Sequence, residues 1–190
     1  MTILLTSFAP WLCHHWSNSS DDLLVSIQDN YAKKLLFLRQ LPVNTHRASE
    51  RVIKAIQDKK TDLVICCGMA ESRYRLSLES QAKSSTKKLL TPIPLPDLIK
   101  NLNYSYISDN AGQFVCEELY FQVLKYHPRA LFVHVPLLTD KNFAIIQRDF
   151  QKIIGSSVCV MQSTRVIRDE TLIERDITAI FVNCFRSRAN

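Results

Sequence analysis

Three residues supply the types that covalent thiol chemistry needs: a cysteine as nucleophile, a histidine as base and a carboxylate to orient the histidine. Cys116 closes the stretch Asn110-Ala111-Gly112-Gln113-Phe114-Val115-Cys116 and stands in the first turns of a segment of helical period. A thiol near a helix N-terminus feels the positive end of the dipole, which favours thiolate, and backbone N–H groups there can hold an oxyanion. His134 follows the apolar run Leu131-Phe132-Val133 and precedes Val135-Pro136. That places it at the carboxyl end of a strand, where open α/β sheets build their sites. Glu79 stands toward the end of Ser72 to Gln81, where Tyr74, Leu76 and Leu78 alternate with Arg73, Arg75 and Ser77. Taken singly, each has an ordinary explanation: a small core cysteine, a hydrogen-bonded core histidine and a surface carboxylate.

The other chemistry-bearing side chains are less specific. Cys13, His14 and His15 are good metal ligands by type, but adjacent residues rarely converge on one ion, so they read as loop. Cys66 and Cys67 lie inside an apolar strand and read as core, as do Cys159 and Cys184; with no CxxC pair among the six cysteines, reduced thiols are expected. Only three glycines occur, which removes most support for a phosphate-cradling loop.

These residues need a rigid frame, and the hydrophobic pattern describes one. Ile3 to Thr6, Leu35 to Leu38, Leu63 to Cys67 and Ala130 to Val135 are near-continuous apolar runs, as strands buried on both faces should be, and they are expected at the sheet centre. Between them lie segments of helical period. Ser19 and Ser20 can cap one carrying Leu23, Leu24 and Ile27; Val52, Ile53 and Ile56 mark a second. Val115, Leu119, Val123 and Tyr126 mark the helix that carries Cys116, ending before His127-Pro128. Phe143, Ile146, Phe150 and Ile153 mark another, and Ile173, Ile177, Ile180 and Cys184 a last one. Lys83 to Pro96 reads as a loop. The fold class predicted is α/β, a three-layer α/β/α arrangement with a mostly parallel open sheet, as a single domain over 1–190.

At 190 residues and 46% hydrophobic content the chain suits one core. The net charge of +6 is spread among acids rather than clustered, which argues against nucleic acid as a partner. No apolar run approaches a membrane span, and Met1 to Trp16 lacks the basic flank of a signal peptide, so no membrane partner and a cytoplasmic location are expected.

The peptides around these residues resemble the pyroglutamyl peptidase I family of cysteine peptidases almost end to end. Ile3 to Pro10 (ILLTSFAP) resembles its opening strand and G-F-x-P-F turn; Arg39 to Val43 is similar to its RQLPV strand; Asp62 to Arg73 (DLVICCGMAESR) follows its DLVICxGxAGGR stretch. Leu78 to Ala82 takes the place of its VERxA segment, Ala111 to Cys116 (AGQFVC) that of AGTFVC, and Phe132 to Pro136 (FVHVP) that of FIHVP. The resemblance implies a Glu79, Cys116 and His134 triad, a flavodoxin-like open sheet, and release of an N-terminal pyroglutamyl residue from a peptide with a blocked N-terminus. It also implies aromatic walls for the lactam ring at Phe8 and Trp11, a backbone hydrogen bond to the lactam at Met69, and a turn closed by Arg73. No metal and no organic cofactor are implied. Family members associate into dimers or tetramers; no exposed stripe in this sequence decides whether it forms a homo-oligomer.

Departures from the family pattern bear on the substrate. The family's glycine in the first turn is Ser7, the Gly-Gly after its second aromatic is Leu12-Cys13, and the next Gly-Gly is Glu71-Ser72. Glu117 replaces the usual asparagine, the loop between Lys83 and Leu89 is shorter, and Thr139 to Arg168 is longer. Side chains where glycine lets backbone approach a ligand predict crowding near a narrow ring pocket. Two alternatives follow: a same-fold amidase or peptidase with a changed pocket, and a non-catalytic binding protein that keeps the fold.

Overall fold

Strand alternation within each apolar run decides which side chains face which helical layer, and it is this that brings the candidate residues to one side of the sheet. A computed structural model describes residues 1–11, 16–31 and 35–160. Its strands are β1 (Ile3–Phe8), β2 (Leu35–Leu41), β3 (Leu63–Met69), β4 (Leu76–Glu79), β5 (Gln81–Lys83), β6 (Lys88–Leu90), β7 (Ser105–Ser108) and β8 (Ala130–Val135). The helices are α1 (Ser19–Tyr31), α2 (Thr45–Lys59), α3 (Leu95–Ile99), α4 (Val115–Tyr126) and α5 (143–160). The main sheet runs β2-β1-β3-β8-β4-β7. β4 pairs antiparallel to β8 and parallel to β7; the other pairs are parallel.

One face carries Ile3, Leu5, Leu63, Ile65, Leu131, Val133, Leu76 and Leu78, packed with Leu23, Leu24 and Ile27 of α1 and Ile146, Phe150 and Ile153 of α5. The opposite face carries Leu4, Phe8, Val64, Cys66 and Phe132, packed with Val52 and Ile56 of α2 and Leu119 and Val123 of α4. Two apolar faces each covered by helices make the three-layer α/β/α frame predicted from the sequence.

Several local expectations change. β2 is an edge strand rather than part of the sheet centre; its LLFL run is apolar because α1 and α2 both pack on it. The strand expected over Ser72 to Gln81 shortens to β4, since 71–75 form turns and bends. Lys83 to Pro96 is not a loop: β5 and β6 form a hairpin, and α3 follows. α1 begins at Ser19, but the capping oxygen is Asn18 Oδ1, which accepts from Ser20 N at 3.0 Å. Tyr126 points out from the end of α4. Cys159 is exposed on α5 rather than in the core. The helix expected at Ile173 to Cys184, with Cys184 itself, and the Cys13, His14, His15 cluster lie outside the described residues. Among the described residues no helix is long and apolar enough to cross a membrane.

Candidate active site

Register places the polar residues of two neighbouring strands on one face. Ser77 of β4 lies opposite His134 of β8, and Glu79 opposite Phe132. Glu79 and His134 are therefore diagonal neighbours on the face that α2 and α4 cover. His134 Nδ1 lies 2.9 Å from Glu79 Oε1, with both side chains buried. An ionised carboxylate has no proton to give, so Nδ1 carries it and donates, which leaves Nε2 as the free ring nitrogen.

Glu79 is fixed from several sides. Its Oε1 also accepts from the Arg73 guanidinium and from Ser77 Oγ, and its backbone carbonyl accepts from the buried Tyr120 hydroxyl at 2.8 Å. Burial pushes the Glu79 carboxyl up, but the His134 hydrogen bond and the Arg73 charge outweigh it and hold the group below its usual range. His134 is lowered, chiefly by burial, with the Glu79 carboxylate opposing and Arg73 adding to the effect. It is therefore neutral near pH 7.

Cys116 enters from α4. The first intrahelical bond runs from Glu118 N to Phe114 O at 3.3 Å, and no side chain caps the helix, so the N–H groups of Val115, Cys116 and Glu117 precede the bonded turns. The Cys116 sulfur is turned toward β3 at Gly68, the residue paired with His134 in register. A Cβ at Gly68 would stand 2.8 Å from Cys116 Sγ and 3.0 Å from Phe132 Cζ, so the sulfur occupies room that only glycine leaves. Cys116 and His134 line one cavity, yet no hydrogen bond joins them. Burial pushes the Cys116 thiol up to about 12, with nearby Glu79 and Glu117 adding to the shift and Arg73 opposing it. Both shifts favour thiol and neutral imidazole over an ion pair.

The cavity holds about 550 Å³ and is walled by Phe8, Trp11, Met69, Arg73, Phe114 and Cys116, among others. Phe8 is buried, whereas Trp11 is 57% exposed and meets Phe114 with ring centroids 6.0 Å apart. Leu12 and Cys13 lie outside the described residues, and the expected crowding is absent at the other two glycine departures. The Ser7 hydroxyl points to the other face and donates to Asp21 Oδ1 at 2.5 Å. Glu71 and Ser72 lie exposed in a turn, with neither at a left-handed φ, and Trp16 is fully exposed and off the cavity wall. Arg73 reaches the cavity, but its guanidinium is committed to Glu79, Ser77 and the Asn110 carbonyl, the last at 2.5 Å.

Sequence reasoning passed over Gly68, Ser77 and Phe114. Gly68 carried a signal, since a glycine inside an apolar strand marks close approach by another group. Ser77 follows from the same alternation as Glu79, and Phe114 from being an aromatic just before a helix start that lacks a polar cap.

Comparison with known proteins sharpens this picture. The pyroglutamyl peptidase family model matches residues 1–98, more than half of the chain. The chain belongs to the pyroglutamyl peptidase family. The matched stretch carries β1 to β4 and Glu79 and ends before Cys116 and His134. The pyrrolidone-carboxylate peptidase of Thermoanaerobacter pseudethanolicus is 27% identical, over 73% of this chain and 83% of that one. That of Brachyspira hyodysenteriae is 24% identical, over 74% and 86%. Among solved structures, the pyrrolidone carboxyl peptidase of Thermococcus litoralis superposes with a TM-score of 0.74 at 18% identity, covering 86% of this chain and 96% of that chain. Pyroglutamyl peptidase I of Bacillus amyloliquefaciens gives 0.70 at 18%, covering 82% and 94%. The structural matches establish the fold, and membership of the family makes the protein a cysteine peptidase.

Proposed function

We propose that this peptidase removes an N-terminal pyroglutamyl (5-oxoproline) residue from peptides, with Cys116 as nucleophile, His134 as general base and acid, and Glu79 as the group that orients the imidazole. One observation carries the reading: an imidazole held 2.9 Å from a buried carboxylate lines the same cavity as a cysteine at the uncapped start of a helix. In the proposed reaction His134 Nε2 takes the Cys116 proton as the sulfur attacks the pyroglutamyl carbonyl carbon. The oxyanion is held by N–H groups of the first turn of α4. His134 then gives the proton to the departing amine, the C–N bond breaks, and water hydrolyses the thioester with His134 again as base. Glu79 keeps Nδ1 protonated and stabilises the imidazolium formed in between. Phe8 and Trp11 flank the lactam ring and the Met69 backbone takes its amide; Arg73, bound to Glu79, holds the carboxylate rather than the ring.

A pyroglutamyl aminocoumarin amide tests this. Wild-type protein should release the fluorophore, and Cys116→Ser should lower kcat/KM at least about a thousandfold, since an alcohol is a far weaker nucleophile here. His134→Ala should be comparably damaging and Glu79→Gln milder, because the amide keeps a hydrogen bond and loses the charge. Cleavage that survives Cys116→Ser defeats the mechanism. The cavity of about 550 Å³ favours, as a second reading, an amidase of the same mechanism acting on a larger acyl group. That reading gains if the wild type leaves the lactam amide intact while an electrophile still labels Cys116.

A further inference from the structure

Beside the cavity that holds Cys116 lies a second, larger cleft of about 1190 Å³, between α2, the β5–β6 hairpin and the start of α4. It exceeds the usual size of a small-molecule pocket. Asn110, Gly112, Gln113, Phe114 and Val115 line both. Phe114, 70% exposed and tilted against Trp11, stands on the ridge between them. The cleft therefore adjoins the Cys116 cavity along the segment 110–115, across this ridge.

The cleft's charge runs against the chain's own balance. Although the whole chain carries +6, the cleft is lined by Glu50, Asp109, Glu117 and Glu118 against Lys83 and His46. Three of these carboxylates have partners: Glu50 Oε2 lies 3.1 Å from His46 Nδ1, and Glu117 Oε1 accepts from the Lys83 backbone N–H. Glu118 Oε1 accepts from Gln122 Nε2 at 2.8 Å. A peptide with cationic side chains meets complementary charge along this wall, and an acidic one meets repulsion.

We infer that the cleft between α2, the hairpin and α4 is the binding site for the leaving peptide, and that it selects substrates with basic residues after the blocked N-terminus. The inference rests on the proposed peptidase reading for the direction of the chain. It is tested by binding. Cys116→Ala protein is titrated with fluorescent peptides pyroglutamyl-Arg-Arg-Gly, pyroglutamyl-Ala-Ala-Gly and pyroglutamyl-Glu-Glu-Gly at low salt. The Arg peptide should bind at least about tenfold tighter than the Glu peptide, as expected for several partly exposed charge pairs, and salt should narrow the gap. Glu50→Gln with Glu118→Gln, two carboxylates that line the cleft and not the Cys116 cavity, should bring the ratio to within about twofold. Equal binding of the Arg and Glu peptides, a ratio that survives the double substitution, or no binding of any of the three overturns the inference. Failure of wild-type protein to cleave the aminocoumarin amide overturns the activity reading instead, and leaves this comparison of peptides standing.

Discussion

Gly68 is the residue at which packing and chemistry are least separable. It sits in β3 beside His134, and the space its missing side chain leaves is filled by the Cys116 sulfur and the Phe132 ring. Gly68→Ala puts a methyl 2.8 Å from that sulfur, so either the sulfur rotates off the site or strand and helix separate. Overpacking of this kind costs about 1–3 kcal/mol. Displacing a reacting atom by about an ångström should cost on the order of a hundredfold in kcat/KM. Gly155→Ala is the control: nothing lies within 4 Å of a Cβ there, and it sits inside α5. Alanine in a helix interior should stabilise by up to about 1 kcal/mol and leave turnover unchanged. Thermal melts and reporter turnover of the two variants check both halves. An active Gly68→Ala protein of wild-type Tm would show that the sulfur does not need this space.

Elements are tied together at one corner by a partly buried polar network that the family's glycine does not supply. Asp21 of α1 accepts from Ser7 Oγ of β1, from Arg39 Nε at 2.8 Å and Arg39 Nη2 at 2.9 Å, and from Gln40 Nε2 at 3.3 Å. Gln40 holds a left-handed φ of 54° in β2 at the same place. Asp21→Ala removes the acceptor shared by the guanidinium, hydroxyl and amide, although Arg39 keeps Gln28 Oε1, a loss of about 1–2 kcal/mol, while the cleft around Cys116 lies on the other face and keeps its chemistry. Urea unfolding of Asp21→Ala against Ser7→Gly separates the charge pair from the hydroxyl; a loss below about 1 kcal/mol for Asp21→Ala would mean that the network is solvated rather than structural. What was legible at this scale follows from how strongly each element writes itself into the chain. Strands buried on both faces announce themselves as apolar runs, so β1, β3 and β8 were readable, and with them the face on which His134 must lie. β7 reads Ser-Tyr-Ile-Ser, four residues with no apolar run to detect, and the β5–β6 turn uses Ser and Thr rather than glycine, with Ser84 N bonding Lys87 O at 2.7 Å. The antiparallel pairing of β4 with β8 is a long-range choice that no local pattern encodes, and it is this pairing that sets Glu79 diagonal to His134. The destination of Arg73 was hidden for the same reason: its partner Glu79 becomes a neighbour only once that strand is in place.

At the scale of the whole molecule, buried titratable groups make stability depend on pH in one dominant direction. Burial lowers His127 and His134 below the 6.5 of a free imidazole. In Glu79 and Asp21, burial is outweighed by hydrogen bonds and nearby cations, so that both fall below their ordinary values of 4.5 and 3.8. A group whose folded pKa is depressed binds fewer protons when folded than when unfolded, so its stabilising contribution is present above the unfolded value and is lost as pH falls toward the folded one. All four therefore favour the native state near neutrality and withdraw that support on acidification, the histidines first, below 6.5, and the carboxylates next, below 4.5 and 3.8. Glu117 is raised, chiefly by burial, and acts the other way, one group against four. The net charge of +6 grows as carboxylates protonate, and self-repulsion adds to the loss. The urea midpoint should be flat from pH 8 to about 7, decline from about 6.5, and fall more steeply below about 4.5. His127→Gln removes one of the two histidines at a position outside the cavity, where its ring bonds the Asp62 carbonyl at 3.3 Å, and should make the first decline shallower while leaving the second in place. A midpoint that rises as pH falls from 7 to 5 would contradict the signs of both histidine shifts, and would mean that the histidines take up protons more readily in the folded protein, which is the charge state His134 must avoid if it is to accept a proton from Cys116.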